Sequence, residues 1–315
     1  MAHTLDSELV PVMTALAAQA ATAPTPARGD WKALREQANA GLAHLATLVP
    51  PTSGVATATY VATAPDGASL ELRWYTTHNR GPGSAVLYAH GGGLVGGSLD
   101  LYDEVLSWYV AQTGVPFLAV DYRLAPEATG TMVAQDIFTG LTWLLEHAQE
   151  LGVDPGRIAV MGDSGGAGPA AASAIIARDH GITLARQILI YPMLDDRTLT
   201  PDPAREPFLT WTYDNNFTSW SALLGDQLGR DSVSPLAAAA RLTDFAGLAP
   251  AYLDVGDLDI FRDETITYAR NLARAGVPIE LHVHPGVPHG WERFAPNSRA
   301  ARRALADRAR AVGSI

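Results

Sequence analysis

Cysteine is absent from all 315 residues, which removes disulfides, thiolate metal sites and a cysteine nucleophile together. That absence is compatible with a reducing compartment. No apolar run is long enough to cross a bilayer as a helix. The opening residues, MAHTLDSELVPVMTALAAQA, lack a basic start followed by a clean apolar core, so they make a poor secretory signal. Basic residues are also in short supply: 22 Lys and Arg stand against 33 Asp and Glu, a net charge of −11. This argues against a nucleic-acid partner, which needs a basic face to meet phosphates. The expectation is a cytoplasmic protein with a small-molecule partner and no membrane span.

What the chain does have is apolar content of 47%, enough for a sizeable core in one large domain. Its 29 glycines and 21 prolines are scattered as punctuation rather than gathered in a linker, and no internal repeat is present. Leu5, Leu9, Val12, Met13 and Leu16 recur at helical spacing and predict a helix over 4–21, interrupted early by Pro11. Ala23-Pro24-Thr25-Pro26 breaks the chain, and a second amphipathic helix is predicted over 31–48. Two helices ahead of any strand stand outside an alternating β/α core. They read as an appended lid, with plain packing helices as the alternative.

Alternating runs over 55–63 and 69–75 flank a Pro65-Asp66-Gly67 turn, the signature of a hairpin. Short apolar runs follow at 84–89, 115–120, 157–161, 187–191, 251–255 and 279–283. Helical patterns lie between or after them at 101–112, 132–151, 166–179, 263–275 and 298–312. An antiparallel start followed by repeated β–α alternation predicts an α/β fold, a mostly parallel sheet flanked by helices on both faces. The alternation lapses over 194–234, which is helical and rich in aromatic residues, including Phe208. An insertion there sits over the crevice where open α/β sheets bind ligands. Most of its aromatics pack its own small core; one or two of Trp211, Tyr213, Phe217 and Trp220 lining a pocket would be enough to bind substrate. The expected division is a cap segment at 1–50, core at 51–193, cap insertion at 194–234 and core again at 235–315.

The chemistry centres on Gly162-Asp163-Ser164-Gly165-Gly166, between a buried strand and a small-residue helix. A serine at such a turn is held in strained geometry with its hydroxyl exposed at the sheet's C-terminal end, facing a helix N-terminus. The same five letters occur around the serine of chymotrypsin-like proteases. Those order their triad His, Asp, Ser on an all-β scaffold, whereas the flanks here alternate strand and helix. A second motif, His90-Gly91-Gly92-Gly93, directly follows a strand, and glycine amides there can converge on an oxyanion. Gly91, Gly92 and Gly165 are assigned as the donors, and His90 as a brace for the loop. His289 follows the last strand in a Pro/Gly loop and is the candidate base. A metal site of His282, His284 and His289 is set aside, since no acidic residue lies among them. The orienting acid is Asp257 or Asp259, both on the loop after strand 251–255, with Asp263 and Glu264 expected to cap the next helix. Spacing alone does not separate the two.

Seven motifs occur in order: HGGG, Asp121-Tyr122-Arg123-Leu124-Ala125-Pro126-Glu127, the GDSGG turn, Tyr191-Pro192, Ser234-Pro235-Leu236, the run Asp259 to Glu264, and Pro288-His289-Gly290. As a set they resemble the bacterial hormone-sensitive-lipase family of α/β-hydrolase carboxylesterases, over about residues 75–294. The resemblance implies an α/β-hydrolase fold with a helical cap, and hydrolysis of short- to medium-chain carboxylic esters. It implies a triad of Ser164, Asp259 and His289, because the family's D-x-L-x-D-E motif falls on Asp259 through Glu264. It also implies a homodimer through the edge of the last strand. Three positions depart from the pattern: Phe261 replaces the usual leucine, Gly165 the usual alanine, and Ala128-Thr129-Gly130-Thr131 a proline-rich continuation. The reaction expected is acyl transfer through an acyl-enzyme, with no cofactor or metal. The alternatives are an acyl hydrolase acting on an amide, formamide or lactone, and a non-catalytic receptor on the same scaffold.

Overall fold

A computed structural model describes residues 3–20, 22, 24–77 and 83–315. Met1, Ala2, Ala21 and Ala23 of the predicted first helix and chain break lie outside the described residues. The chain opens with α1 (Val10–Ala20) and α2 (Trp31–Ala46), the latter capped by Asp30, whose carboxylate accepts from the Ala33 amide. Pro11 does not interrupt α1; it sits in the first turn, where its missing N–H has no helical partner to lose.

The sheet follows. Strands β1 (Val55–Thr63) and β2 (Ser69–Thr77) form the predicted hairpin. Then come β3 (Ala85–Ala89), α3 (Asp103–Thr113), β4 (Phe117–Val120), α4 (Met132–Glu146), α5 (Ala148–Leu151), β5 (Ile158–Asp163), α6 (Ala167–Asp179) and β6 (Arg186–Ile190). Past the insertion with α7 (Tyr213–Leu224) come β7 (Ala251–Gly256), α8 (Arg262–Arg274), β8 (Ile279–His284), α9 (Trp291–Phe294) and α10 (Arg299–Gly313). Several predicted elements are shorter than expected, the first helix, expected over 4–21, beginning only at Val10. The strand expected over 115–120 starts at Phe117, because Pro116 has no N–H for the ladder. The helix expected over 132–151 breaks at His147 into α4 and α5.

The strand order is β1-β2-β4-β3-β5-β6-β7-β8; the pairs β1/β2 and β2/β4 are antiparallel and every later pair in the order is parallel. Strands β3, β4, β5 and β7 are buried along their whole length, as strands covered on both faces must be. Their side chains alternate between two cores. Along β3, Ala85, Leu87 and Ala89 join the core beneath α4, α6 and α8, while Val86 and Tyr88 join the one beneath α3 and α10.

This parallel arrangement brings the C-terminal ends of β3, β5, β7 and β8 to one edge of the sheet. The insertion leaves from β6 at the same edge. It meets the N-terminal helices there: the Gly29 amide donates to Thr218 Oγ1 at 2.9 Å, and Arg28 pairs with Asp214 while lying 3.8 Å over the Phe217 ring. Among the described residues no helix is long and apolar enough to cross a membrane.

Candidate active site

At the end of β5 the chain turns through a single 3₁₀ turn, Ser164–Gly166, into α6. Ser164 takes φ +53°, the left-handed region that non-glycine residues avoid. The glycines around it are needed for closeness. A Cβ on Gly162 would stand 2.6 Å from the Gly166 carbonyl oxygen, and one on Gly166 would stand 2.3 Å from the carbonyl oxygens of Ala89 and His90. The elbow is therefore wedged against the end of β3, and small buried residues (Ala170, Ala171, Ala174) let α6 lie close behind it.

Three strand ends converge at this point. Ser164 Oγ lies 2.8 Å from His289 Nε2, and His289 Nδ1 lies 2.7 Å from Asp259 Oδ2. Asp259 is fully buried, and its second oxygen accepts from the Phe261 amide at 2.9 Å, which fixes the carboxylate's direction. Burial pushes the imidazole's pKa down, but the charge of Asp259 and its hydrogen bond outweigh burial, so the value stands above that of an ordinary histidine. Tyr191 and Phe261 meet the His289 ring edge-on at 4.6 and 5.2 Å. Phe261, one of the departures from the family pattern, thus walls the imidazole. Asp257 does different work: its Oδ1 accepts from the Gly286 amide at 2.6 Å and ties down the loop ahead of His289.

Two insertion residues with no signal in the sequence also reach this side. Arg205, 6% exposed, donates to the Asp259 carbonyl at 3.1 Å and pairs with Asp202 and Asp263. Thr210 donates its hydroxyl to the His289 carbonyl at 2.7 Å. Glu264 sits in the first turn of α8 without capping it. Its buried carboxylate reaches back to the Leu194 amide at 2.6 Å, where the insertion begins.

On the other side of Ser164 lies the loop after β3. His90 is buried, stacks on Tyr122 at 4.4 Å, and burial lowers its pKa, in keeping with a brace. Gly91 differs from expectation. Its amide is spent on Asp163 Oδ1 at 2.8 Å and on the Tyr102 hydroxyl at 3.0 Å, so it points beneath the loop, away from a role as oxyanion donor. Tyr88 and Tyr102 also donate to Asp163, each at 2.7 Å. The amides of Gly92, Gly93 and Gly165 have no hydrogen-bond partner among the described residues. Gly165 is tightly covered: a Cβ there would come 2.6 Å from the Leu94 amide nitrogen and 2.7 Å from that of Gly93.

The four aromatics of the insertion expected at a pocket separate. Trp211 packs on the glycine loop, where a Cβ on Gly93 would stand 2.4 Å from its ring, and its buried indole N–H has no protein partner among the described residues. Tyr213 and Trp220 are buried in the main core, and Phe217 lies beneath Arg28. The three C-terminal histidines do not converge on one point. His282 bonds Glu280 at 2.7 Å, His284 packs against Trp291, and His289 faces Asp259. Glu280, His282 and Asp307 do lie within metal-ligand reach of one another, yet Arg310 already ion-pairs with both carboxylates. The Asp121–Glu127 motif serves the loop's far side. Tyr122 donates to the His90 carbonyl at 2.6 Å, and Glu127 pairs with Arg35 of α2, which also holds the Ala125 carbonyl at 2.8 Å. At the third departure, the Gly130 amide donates to the Leu223 carbonyl at 2.9 Å, joining that loop to α7.

Comparison with known proteins agrees with this geometry. A family model described as alpha/beta hydrolase fold matches residues 86–293. The chain is similar to an ethyl acetate hydrolase of Pseudomonas putida, 36% identical over 246 residues, covering 74% of each chain. It is 38% identical over 214 residues to esterase LipI of Mycobacterium tuberculosis, covering 67% of this chain and 66% of that protein. Among solved structures, a bacterial heroin esterase superposes with a TM-score of 0.87 at 35% identity, covering 99% of this chain and 98% of the other. A hyperthermophilic esterase from Pyrobaculum calidifontis superposes at 0.86 with 31% identity, over the same shares.

Proposed function

The chain belongs to the α/β-hydrolase fold family, among the hormone-sensitive-lipase-like bacterial carboxylesterases, and is a carboxylic ester hydrolase; from that premise we propose that Ser164, His289 and Asp259 are its catalytic triad. The observation that carries this reading is the unbroken path Ser164 Oγ–His289 Nε2–His289 Nδ1–Asp259 Oδ2, with links of 2.8 and 2.7 Å. His289 takes the serine proton as Oγ attacks the ester carbonyl, and Asp259 holds the tautomer and stabilises the imidazolium. The carbonyl oxygen becomes an oxyanion bound by the amides of Gly92, Gly93 and Gly165; losing one such donor costs about 3 kcal/mol of barrier. His289 then protonates the departing alcohol. Water, giving a proton to the same imidazole, attacks the acyl-enzyme and releases the acid.

The substrates are short- to medium-chain acyl esters. Trp211 against Gly93 crowds the space beside the oxyanion amides, and an ethyl acetate hydrolase among the relatives favours the short end. Helices α1 and α2 and residues 194–234 act together as the cap, a reading supported by the contacts of Gly29 and Arg28 with α7. β8 is an edge strand with Ile279 and Val283 exposed, which supports a homodimer through that edge; light scattering tests it. The lack of cysteine fits a cytoplasmic setting.

The deciding experiment is labelling with a serine-directed organophosphate, read by mass. One adduct is expected on the intact protein and none on Ser164→Ala, with hydrolysis of p-nitrophenyl acetate lost in parallel. An intact protein that neither labels nor hydrolyses any short p-nitrophenyl ester would sink the triad. A profile over acyl-chain length then tests the role of Trp211.

A further inference from the structure

Behind the elbow, on the α3 and α10 face of the sheet, lies a cavity of about 120 Å³ that Ser164 does not line. Its outer wall is apolar and partly exposed, formed by Leu48, Val49, Pro50, Val105, Trp108 and Leu305. Its floor is polar, with Tyr102, Asp163, Tyr191, Glu292, Arg293 and Arg308. A cavity graded this way suits a small molecule with one polar end.

The hydrogen bonds of the floor show which polar end. Arg308 is satisfied: it donates to both oxygens of Asp254 at 2.6 and 2.9 Å and to Glu292 Oε1 at 2.7 Å. Tyr191 gives its hydroxyl proton to the same Glu292 oxygen. Asp163 accepts from Gly91, Tyr88 and Tyr102. One acceptor and one donor group remain. Glu292 Oε2 is buried without a partner among the described residues, as are Nε and Nη2 of Arg293. Arg293 forms no ion pair among the described residues and lies 4.5 Å over the Tyr102 ring.

Charge narrows the ligand further. Three carboxylates (Asp163, Asp254, Glu292) surround two guanidinium groups (Arg293, Arg308), so an entering anion would add to a net negative surround. A cation would face both guanidinium groups. A neutral hydroxyl is both donor and acceptor, the two functions left over. We propose that this cavity binds a small alcohol or phenol, its hydroxyl at Arg293 and Glu292 and its apolar body against Trp108 and Val105. The alcohol released by ester hydrolysis belongs to this class; the acid, ionised at neutral pH, does not. Occupancy is coupled to the catalytic side through Tyr102, which carries Arg293 on its face and holds both Asp163 and the Gly91 amide. That coupling rests on the oxyanion reading of the glycine loop, whereas binding itself does not.

The test separates the two. Crystals of the intact protein are soaked with 4-bromophenol, and the bromine is located by anomalous scattering. It is expected between Tyr102 and Trp108. In solution, calorimetric titration of phenol into protein whose Ser164 carries an organophosphate should still show one saturable site. Val105→Phe, which fills the cavity, should weaken that site at least tenfold, while Val105→Ala keeps it. Benzoate should bind at least tenfold more weakly than phenol. Bromine found only beside Ser164 or nowhere, phenol binding indifferent to Val105→Phe, or benzoate binding as tightly as phenol would each overturn the proposal. Failure of the organophosphate to label would count against the triad and leave the crystal result to judge the cavity.

Discussion

Ser164 stands between two unlike halves. On one side His289 and Asp259 are held by side-chain hydrogen bonds, and each atom on the path has one partner within 2.8 Å. On the other, the useful groups are backbone amides of the glycine loop, and what aims them is long-range packing: Asp163 and Tyr102 beneath Gly91, Asn39 of α2 on the Gly97 amide at 2.8 Å, and Trp211 over Gly93. The first half depends on which side chains are present. The second depends on where the backbone lies, to within a few tenths of an ångström.

The largest expected effect breaks the first half. Asp259→Asn should lower kcat by about 10³- to 10⁴-fold, since the amide cannot enforce the imidazole tautomer. Asp257→Asn, at a side chain whose hydrogen bond is to the Gly286 amide and not to His289, should keep most activity. Steady-state kinetics on p-nitrophenyl acetate ranks the two variants, and the reverse ranking would exchange their roles.

The next effect breaks the second half. Gly165→Ala puts a methyl 2.6–2.7 Å from the Leu94 and Gly93 nitrogens, so the loop must move back. We expect kcat to fall by about 10- to 10²-fold, the scale of a weakened oxyanion donor, with KM little changed. An alanine variant as active as the parent would show that the loop's close approach is not needed for catalysis.

The smallest effect distinguishes the halves by pH. The reaction needs neutral His289, and Asp259 raises its pKa above the ordinary value of about 6.5. Activity should therefore fall as pH drops through a midpoint above that value, about tenfold per unit beyond it. In Asp259→Asn the largest raising influence is gone while burial remains and only the charges of Glu292 and Asp163 still oppose it, so the midpoint moves to lower pH. In Gly165→Ala it stays in place. A pH–kcat/KM profile that shifts equally in both variants would erase the distinction between the halves.

This contrast also explains what could be read without coordinates. The strand–elbow–helix unit was legible because its determinants are local: an apolar run, glycines at positions where a Cβ would stand only 2.3–2.6 Å from a carbonyl oxygen, and small residues in α6. His289 was legible as a candidate from its place after the last strand. Asp257 and Asp259 were not separable by spacing, since both leave the same strand end. They differ by which loop each faces after folding. The Gly91 amide could not be told from its neighbours for a related reason. Three glycines in a row present three similar amides, and it is Asp163, 72 residues away, together with Tyr102 that takes the first.

The sequence by itself determined the alternation of strands and helices, the strained serine, and the order of the reactive residues, because each follows from nearest neighbours along the chain. Only the folded chain decided which glycine-loop amides are free among the described residues, that Trp211 rather than Tyr213, Phe217 or Trp220 lies on the glycine loop, and that Arg205 and Thr210 of the insertion reach the carbonyls of Asp259 and His289. Those outcomes are set by distances between segments far apart in the chain, where a shift of one hydrogen-bond length changes the partner.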